Sequence, residues 1–143
     1  MRTPLLCCVV FVATAVAAPV PKEVKKKDDA KLLEGRWESV TLDQGQGHNP
    51  DTSYWLEIKD GKLSTGIGTK TKGFVDVPFT LDPAESPKHI DITSGGTTQP
   101  WIYEIDGDTL TWCHPSGGTE RPTGMKSAKP YCCTVWKRVK EEK

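Results

Sequence analysis

The sequence predicts an all-β domain, an eight-stranded antiparallel up-and-down barrel with a short N-terminal helix. Short runs rich in β-branched and aromatic residues recur between turn residues at regular spacing. Two Asp-Gly pairs, Asp60-Gly61 and Asp106-Gly107, lie between such runs and are a strong signal for two-residue hairpins. Eight consecutive antiparallel strands can close into a barrel, which removes the two exposed edges of an open sheet. A sandwich of two sheets is the alternative.

The helix is predicted for residues 30–34, immediately before the first strand. Asp28 or Asp29 can cap its first turn, and a glycine follows its last residue, where helices commonly end. Its two leucines, Leu32 and Leu33, are expected to pack against an apolar surface.

The eight predicted strands share short length and turn residues at both ends. They span residues 36–42, 54–59, 62–65, 73–81, 89–93, 101–105, 109–114 and 131–139. In the fourth, Pro78 indicates an edge position or a bulge, because proline cannot donate to a sheet ladder. In the fifth, Ile90 and Ile92 are expected to face the interior. His89 and Asp91 then face solvent.

Composition restricts the classes of function. A chain of 143 residues allows one domain, and five Trp can supply much of a modest core although only 36% of residues are hydrophobic. The formal net charge of zero provides no field that would attract nucleic acid, so no nucleic-acid partner is expected. We recognise neither a metal-ligand spacing nor a nucleophile–base pair, and therefore expect no cofactor, no metal and no enzymatic activity.

Residues 1–17 are predicted to be a cleaved signal peptide. Arg2 gives a positive start, and residues 5–12 form an apolar run. The Ala-Val-Ala sequence at residues 15–17 satisfies the small-x-small rule, which places the cut after Ala17. We therefore expect the protein to be exported, to a periplasm or to the extracellular space.

Two other interpretations of the N-terminus are disfavoured. The apolar stretch is shorter than the roughly 20 residues that cross a bilayer, so we expect no membrane span. A lipid attached to Cys7 or Cys8 is disfavoured because the apolar run follows these cysteines instead of preceding them. Residues 18–29 are then a linker, and residues 30–143 form the barrel domain.

Three cysteines, Cys113, Cys132 and Cys133, lie outside the predicted signal peptide. Export implies an oxidising compartment, in which a disulfide is allowed. Because neighbours on a strand point to opposite faces, Cys113 can pair with Cys132 or with Cys133 but not with both. Two alternatives are equally favoured. In one, a single bridge leaves one thiol free; in the other, all three cysteines are unpaired. For the same reason His114 is not expected to pair with its neighbour Cys113.

The segment Gly35-Arg36-Trp37 at the start of the first strand resembles the Gly-x-Trp motif of the calycin superfamily, the lipocalins and their relatives. The resemblance implies that Trp37 closes one end of the barrel and that an Arg of the last strand, here Arg138, lies across its ring. Such a cation–π contact contributes roughly 1 kcal/mol.

Almost all of the predicted mature chain also resembles a family of small lipocalin-like domains of unknown function, expanded in planctomycete bacteria. The matching motifs are Leu33-Glu34-Gly35-Arg36-Trp37, residues 60–63, residues 87–91, residues 103–110, Cys113, Arg121-Pro122 and Lys137-Arg138. The resemblance implies a lipocalin-like fold and no particular activity. The chain departs from the family at Tyr131-Cys132-Cys133, where an aliphatic start is usual.

Large side chains supply the candidate ligand contacts. In a lipocalin-like barrel some aromatic residues would line a pocket, and the candidates here are Trp55, Trp101, Tyr103 and Trp112. Arg121 lies in a long polar loop expected at the barrel mouth, where it could bind a carboxylate or a phosphate. It could instead fix the loop by bonding to backbone carbonyls.

The sequence thus predicts an exported, non-catalytic, lipocalin-like domain that binds a small apolar or amphipathic ligand at the barrel mouth. The alternative is a barrel filled by its own side chains, which would act as a structural or protein-interaction module without a ligand pocket. No particular protein partner is indicated.

Overall fold

The computed structural model describes residues 28–43, 53–69 and 71–140. The predicted signal peptide, its cleavage site and nearly all of the linker fall within residues 1–27, outside the described part.

One short helix and nine strands form the described structure. They are α1 (Asp29–Leu33), β1 (Gly35–Asp43), β2 (Tyr54–Lys59), β3 (Lys62–Ile67), β4 (Thr71–Lys72), β5 (Val77–Asp82), β6 (Lys88–Ser94), β7 (Thr97–Asp106), β8 (Thr109–Pro115) and β9 (Tyr131–Arg138). The sheet order is β2-β1-β9-β8-β7-β6-β5-β3-β4, and β2 also pairs with β3. Eight strands therefore close an antiparallel up-and-down barrel, as predicted, and β4 is a two-residue addition to β3.

Within the described residues, three tight hairpins connect neighbouring strands. Asp60-Gly61 forms the predicted turn, with φ of 52° and 71°, the positive values that a type I′ turn requires. The second predicted turn is shifted by one residue, to Gly107-Asp108, because β7 includes Asp106. A third turn at Gly95-Gly96 joins β6 to β7, and it lengthens β7 beyond the predicted span.

The predicted fourth strand at residues 73–81 is wrong in its first half. Asp76 has φ of 50°, which interrupts an extended conformation, and regular pairing begins only at Val77. Val75 is consequently 52% exposed. Pro78 pairs with Lys62 of β3 near the start of β5, where the two strands share two register pairs. Because β5 lies between β6 and β3, the predicted edge position is wrong.

Helix α1 begins one residue earlier than predicted. The Asp28 side chain makes no capping hydrogen bond, although its carbonyl oxygen accepts one from the Leu32 amide at 3.1 Å. Asp29 lies inside the helix and is buried, so its carboxylate is used elsewhere. The predicted side-chain cap is therefore absent, and tertiary contacts hold this short helix in place.

Alternate residues of the barrel strands fill the interior. The buried core comprises Leu33, Trp37, Leu56, Ile58, Leu63, Val77, Ile90, Ile92, Trp101, Tyr103, Leu110, Trp112 and Trp136. The predicted inward orientation of the two isoleucines of β6 is confirmed, since they are 1% and 0% exposed. A second small cluster, formed by Ile102, Cys113 and Cys133 with Met125, lies on the outer face of β7, β8 and β9.

Candidate functional site

One end of the barrel, called the closed end here, is covered by α1 and centred on Trp37. The Trp37 indole N–H donates to the Leu33 carbonyl at 3.0 Å, and the Arg138 guanidinium lies 4.1 Å from the ring centroid. The same guanidinium donates to the carbonyls of Glu34 at 2.6 Å and Leu32 at 2.5 Å. The structure thus brings together the pair that the resemblance implies, and Arg138 also satisfies carbonyls at the C-terminus of the helix.

Gly35 has a physical reason to be glycine in this arrangement. Its φ of +126° is unfavourable for other residues, and a Cβ atom there would lie 2.9 Å from Nη1 of Arg138. Arg138 also forms an ion pair with Asp108 at 3.3 Å, which ties the β7–β8 turn to the same end. A side chain at position 35 would displace the group that covers Trp37.

A second polar cluster attaches the start of α1 to the barrel. The Asp29 carboxylate is buried and accepts from Lys88 Nζ at 2.7 Å and from the Tyr103 hydroxyl at 2.8 Å. Burial, and then the hydrogen bond and charge of Asp29, raise the pKa of Tyr103 well above its ordinary value of 10.0. The cluster is neutralised internally, because one ammonium and one phenol share one carboxylate oxygen.

Two clefts of about 360 and 500 Å³ flank this cluster. The first contains Asp29 and Lys88, and the second contains Lys88 and Tyr103 with residues of the loop after β5. Lys88, the polar side chain that they share, is already paired with Asp29. These clefts therefore offer a ligand no unused buried group, although they are larger than the cavity at the other end.

The opposite end, called the open end here, is where β1 and β3 finish and β2 and β9 begin. It contains a cavity of about 200 Å³ lined by Tyr54, Trp55, Thr65, Gly66, Ile67, Gly73 and Trp136. Trp55 lies on the outer face of β2, because Leu56 and Ile58 take the interior, but it still borders the cavity. Its indole N–H donates to the Gly68 carbonyl at 2.9 Å, which fixes the ring.

Behind this cavity the barrel is filled by aromatic rings. Trp112 makes edge-to-face contacts with Trp101 and with Trp136, each at 5.1 Å between centroids. Phe74 covers Trp101 at 6.2 Å. The predicted ligand contacts Trp101 and Trp112 therefore belong to the packed core, as does Tyr103 at the other end.

Trp136 differs from Trp37, Trp55 and Trp101 in its hydrogen bonding. It is 3% exposed, and its Nε1 has no hydrogen-bond partner. Ser39, its register partner on β1, also carries a buried hydroxyl without a partner. The sequence prediction includes neither residue among the site residues, because an unpaired donor is a property of the three-dimensional neighbourhood and leaves no trace in residue order.

His114 and Cys132 face each other across β8 and β9. The His114 ring stacks on Trp101 at 4.6 Å between centroids, and burial lowers its pKa below the ordinary value of 6.5. Cys132 is a buried free thiol, and no hydrogen bond joins it to the imidazole in the described structure. The two groups share a location without forming an activated pair.

Cys113 and Cys133 form the disulfide, which resolves the choice that the sequence left open. The bond lies on the outer face of the barrel, where the Met125 sulfur is 3.7 Å from Cys113. Residues 116–130 thus pack over this outer face. This differs from the predicted position of the loop at the barrel mouth.

Arg121 fixes that loop to the barrel wall. Its guanidinium donates to the Trp101 carbonyl and to the Asp91 carboxylate, both at 2.6 Å. Asp91 alternates with the two inward isoleucines of β6 and so lies outside the barrel. Of the two roles considered for Arg121, the structure shows the loop-fixing contact with a backbone carbonyl, and it places this side chain away from the mouth cavity.

Comparisons with known proteins add no relative. No protein-family model, no curated protein and no solved structure matches the chain. The fold and site define a small closed antiparallel barrel with one plugged end, and the lipocalin-like resemblance stays a prediction. Among the described residues no helix is long and apolar enough to cross a membrane, and no group of three or more His, Cys, Asp or Glu could hold a metal ion.

Proposed function

We propose that this protein is an exported, non-catalytic domain that binds a small apolar or amphipathic ligand in the cavity at its open end. The observation that carries the proposal is the lining of this cavity. It combines three aromatic rings with one aliphatic side chain, and none of its described lining residues is charged. Ligand pockets typically have such apolar walls with few polar groups.

The geometry favours the open end over the closed end. At the closed end, the polar side chains of α1 and the barrel satisfy one another, as Asp29 does with Lys88 and Tyr103. At the open end, a buried indole N–H lacks a partner. Buried polar groups without partners are rare in native proteins, so each one calls for an explanation, and a bound molecule that supplies the missing acceptor is one.

The disulfide supports the exported part of the proposal. A bond such as Cys113–Cys133 persists in oxidising compartments and is rare in reducing ones. Measuring the intact mass of the protein released by a secreting host tests this directly. The expected mass is that of a chain that begins at Ala18. A mass that still includes residues 1–17 would contradict export by a cleaved signal peptide.

A hydrocarbon probe tests ligand binding at the open end. α-Methylstyrene is small, neutral and apolar, and we expect saturable binding by calorimetry to the complete mature chain. Ile67→Trp, which enlarges a lining side chain, should raise Kd at least tenfold. Val40→Trp enlarges an exposed aliphatic residue outside the lining and should leave Kd unchanged. Absence of binding, or binding unaffected by Ile67→Trp, would refute the site.

The alternative function is a filled barrel that acts through its surface. The specific observation in its favour is the packed interior, where Trp101, Trp112 and Trp136 occupy the space that a larger ligand would need. Ile67 and Val75 are also exposed, at 37% and 52%. If the probe does not bind, these exposed side chains become the first positions to test for a protein contact.

A further inference from the structure

We propose that the open-end cavity selects a neutral ligand with a carbonyl oxygen, which accepts a hydrogen bond from Nε1 of Trp136. This inference rests on the proposed function and adds the chemical class of the ligand. It follows from the hydrogen bonding of the tryptophans, from the position of Trp136, and from the absence of charge on the described cavity lining.

The tryptophans differ in how their indole N–H groups are satisfied. Those of Trp37 and Trp55 donate to backbone carbonyls at 3.0 and 2.9 Å, and that of Trp101 donates to a glutamine side chain at 3.3 Å. That of Trp136 is buried and has no acceptor. Because an unpaired buried donor loses its bond to water without compensation, a molecule that supplies an acceptor there gains affinity.

The position of Trp136 connects this donor to the cavity. Trp136 is one of the residues that line the cavity, and it is the most deeply buried aromatic ring among them. Its Nε1 is enclosed, so a ligand oxygen reaches this atom when the surrounding side chains move slightly apart. Ser39 lies directly opposite on β1, and Cβ atoms of such cross-strand pairs are about 5 Å apart. Ser39 is not among the residues that line the cavity, so its hydroxyl is a second unpaired group beside the indole and not a second contact for the ligand.

The cavity lining indicates that the ligand is neutral. A carboxylate would lose its hydration on entering, and no described residue of the lining offers a cation in return. The volume of about 200 Å³ equals that of roughly seven water molecules in the liquid. A single ring with a ketone, ester or amide substituent fits these limits.

Three probes of the same size and shape separate the contributions of the carbonyl oxygen and of ligand charge to binding. Acetophenone carries a carbonyl oxygen, α-methylstyrene replaces it with a methylene group, and benzoate replaces the methyl ketone with a carboxylate. Calorimetric Kd values are measured for the unmodified protein, for Trp136→Phe and for Trp101→Phe. Trp101→Phe is the matched control because it also removes an indole N–H from the interior but does not border the cavity.

The expected result is a change in the preference of the protein for acetophenone over α-methylstyrene. In Trp136→Phe the ratio of the acetophenone Kd to the α-methylstyrene Kd should rise about tenfold, the upper part of the range for one hydrogen bond. The loss of ring size affects both probes and cancels in the ratio. Trp101→Phe should leave the ratio unchanged, and benzoate should bind the unmodified protein more weakly than acetophenone.

A measurement on the unmodified protein keeps the test independent of variant folding. The ¹⁵N–¹H resonance of the Trp136 indole should shift with acetophenone in the direction of a formed hydrogen bond, and should not do so with α-methylstyrene.

If α-methylstyrene binds at the open end but neither the ratio of Kd values nor this resonance responds to the carbonyl, the inference is overturned and the site stands. If benzoate binds most tightly, the selection for a neutral ligand is overturned. If no probe binds, the proposed function is refuted together with the inference.

Discussion

The two ends of the barrel treat their buried polar groups differently. At the closed end, Trp37, Arg138 and Asp29 each bond to specific partners on another element. At the open end, the Trp55 indole donates to the Gly68 carbonyl, but the buried Trp136 indole packs against Trp112 and is left without an acceptor. Complete pairing at the closed end agrees with a structural role, and the unpaired donor at the open end is the feature on which the binding proposal rests.

The two ends are also held together by different forces. At the closed end, one guanidinium bonds to two helix carbonyls and to the side chain of Asp108. On the half of β8 and β9 nearer the open end, the Cys113–Cys133 bond joins the strands, and the adjacent register pair is His114 with Cys132. The closed end thus depends on noncovalent contacts between distant segments, and the open end depends on a covalent bond between neighbouring strands.

The largest expected effect is that of removing the centre of the closed end. Trp37→Ala deletes a fully buried ring, its hydrogen bond and its cation–π contact, so the free energy of unfolding should fall by about 3–5 kcal/mol in urea denaturation. Trp55→Ala, on the outer face, is the control and should have a smaller effect. A loss below about 1 kcal/mol for Trp37→Ala would contradict the structural role of this end.

Removing the disulfide should have the next largest effect. The bond closes a loop with a sequence separation of 20, for which chain entropy gives about 3 kcal/mol. The double variant Cys113→Ala/Cys133→Ala should lose stability by up to that amount. Hydrogen exchange should then increase in residues 116–130 and at the open end while α1 stays protected. Cys132→Ala, which keeps the bond, is the control. Equal increases in hydrogen exchange at both ends of the barrel, after removal of the disulfide, would show that the two ends are not independent.

A pair of conservative variants compares the two indole groups directly. Trp37→Phe leaves the Leu33 carbonyl without its donor, whereas Trp136→Phe leaves no group without a partner. Both variants lose similar ring volume, so the difference between their unfolding free energies isolates the hydrogen bond. We expect Trp37→Phe to be the more destabilising by about 1–2 kcal/mol. Equal losses would show that the Trp136 indole has an acceptor in the free protein.

The smallest expected effect is a dependence on acidic pH at the open end. Burial lowers the pKa of His114 below 6.5, so the unfolded chain binds a proton more readily than the folded one. Stability from this residue is therefore complete above pH 6.5 and decreases as the pH falls below it. His114→Phe should flatten the pH dependence of the unfolding free energy in that window. If the slope of unfolding free energy against pH persists in His114→Phe, other titrating groups cause it.

Local patterns predicted most of the barrel. Hairpin signals such as Asp60-Gly61 and the alternation in β6 depend on neighbours in sequence, and both are confirmed. The alternation of residues in β2 also indicates that Trp55 points outward, because Leu56 and Ile58 lie on the opposite face. The interruption at Asp76 was not predictable in this way, because its positive φ depends on contacts with β3, including the hydrogen bond from its amide to Ser64.

Contacts across long stretches of sequence account for what was missed at the sites. The Asp29 carboxylate meets a phenol 74 residues away, so its place in a buried cluster instead of a helix cap has no local signal. The loop that carries Arg121 packs on the outer wall because the disulfide, Ile102 and Met125 form an apolar surface there. Neither the direction of that loop nor the unpaired donor of Trp136 follows from residue order.

The contacts of Arg138 also determine when the barrel can be completed. Its guanidinium bonds to carbonyls 104 and 106 residues earlier in the chain, and its strand is the one that pairs with β1. Until β9 is available, β1 lacks one of its two neighbours and Trp37 lacks its cover. Nascent chains that end before β9 should therefore stay unfolded, and the domain should fold in one cooperative step after synthesis instead of progressively from its first strand.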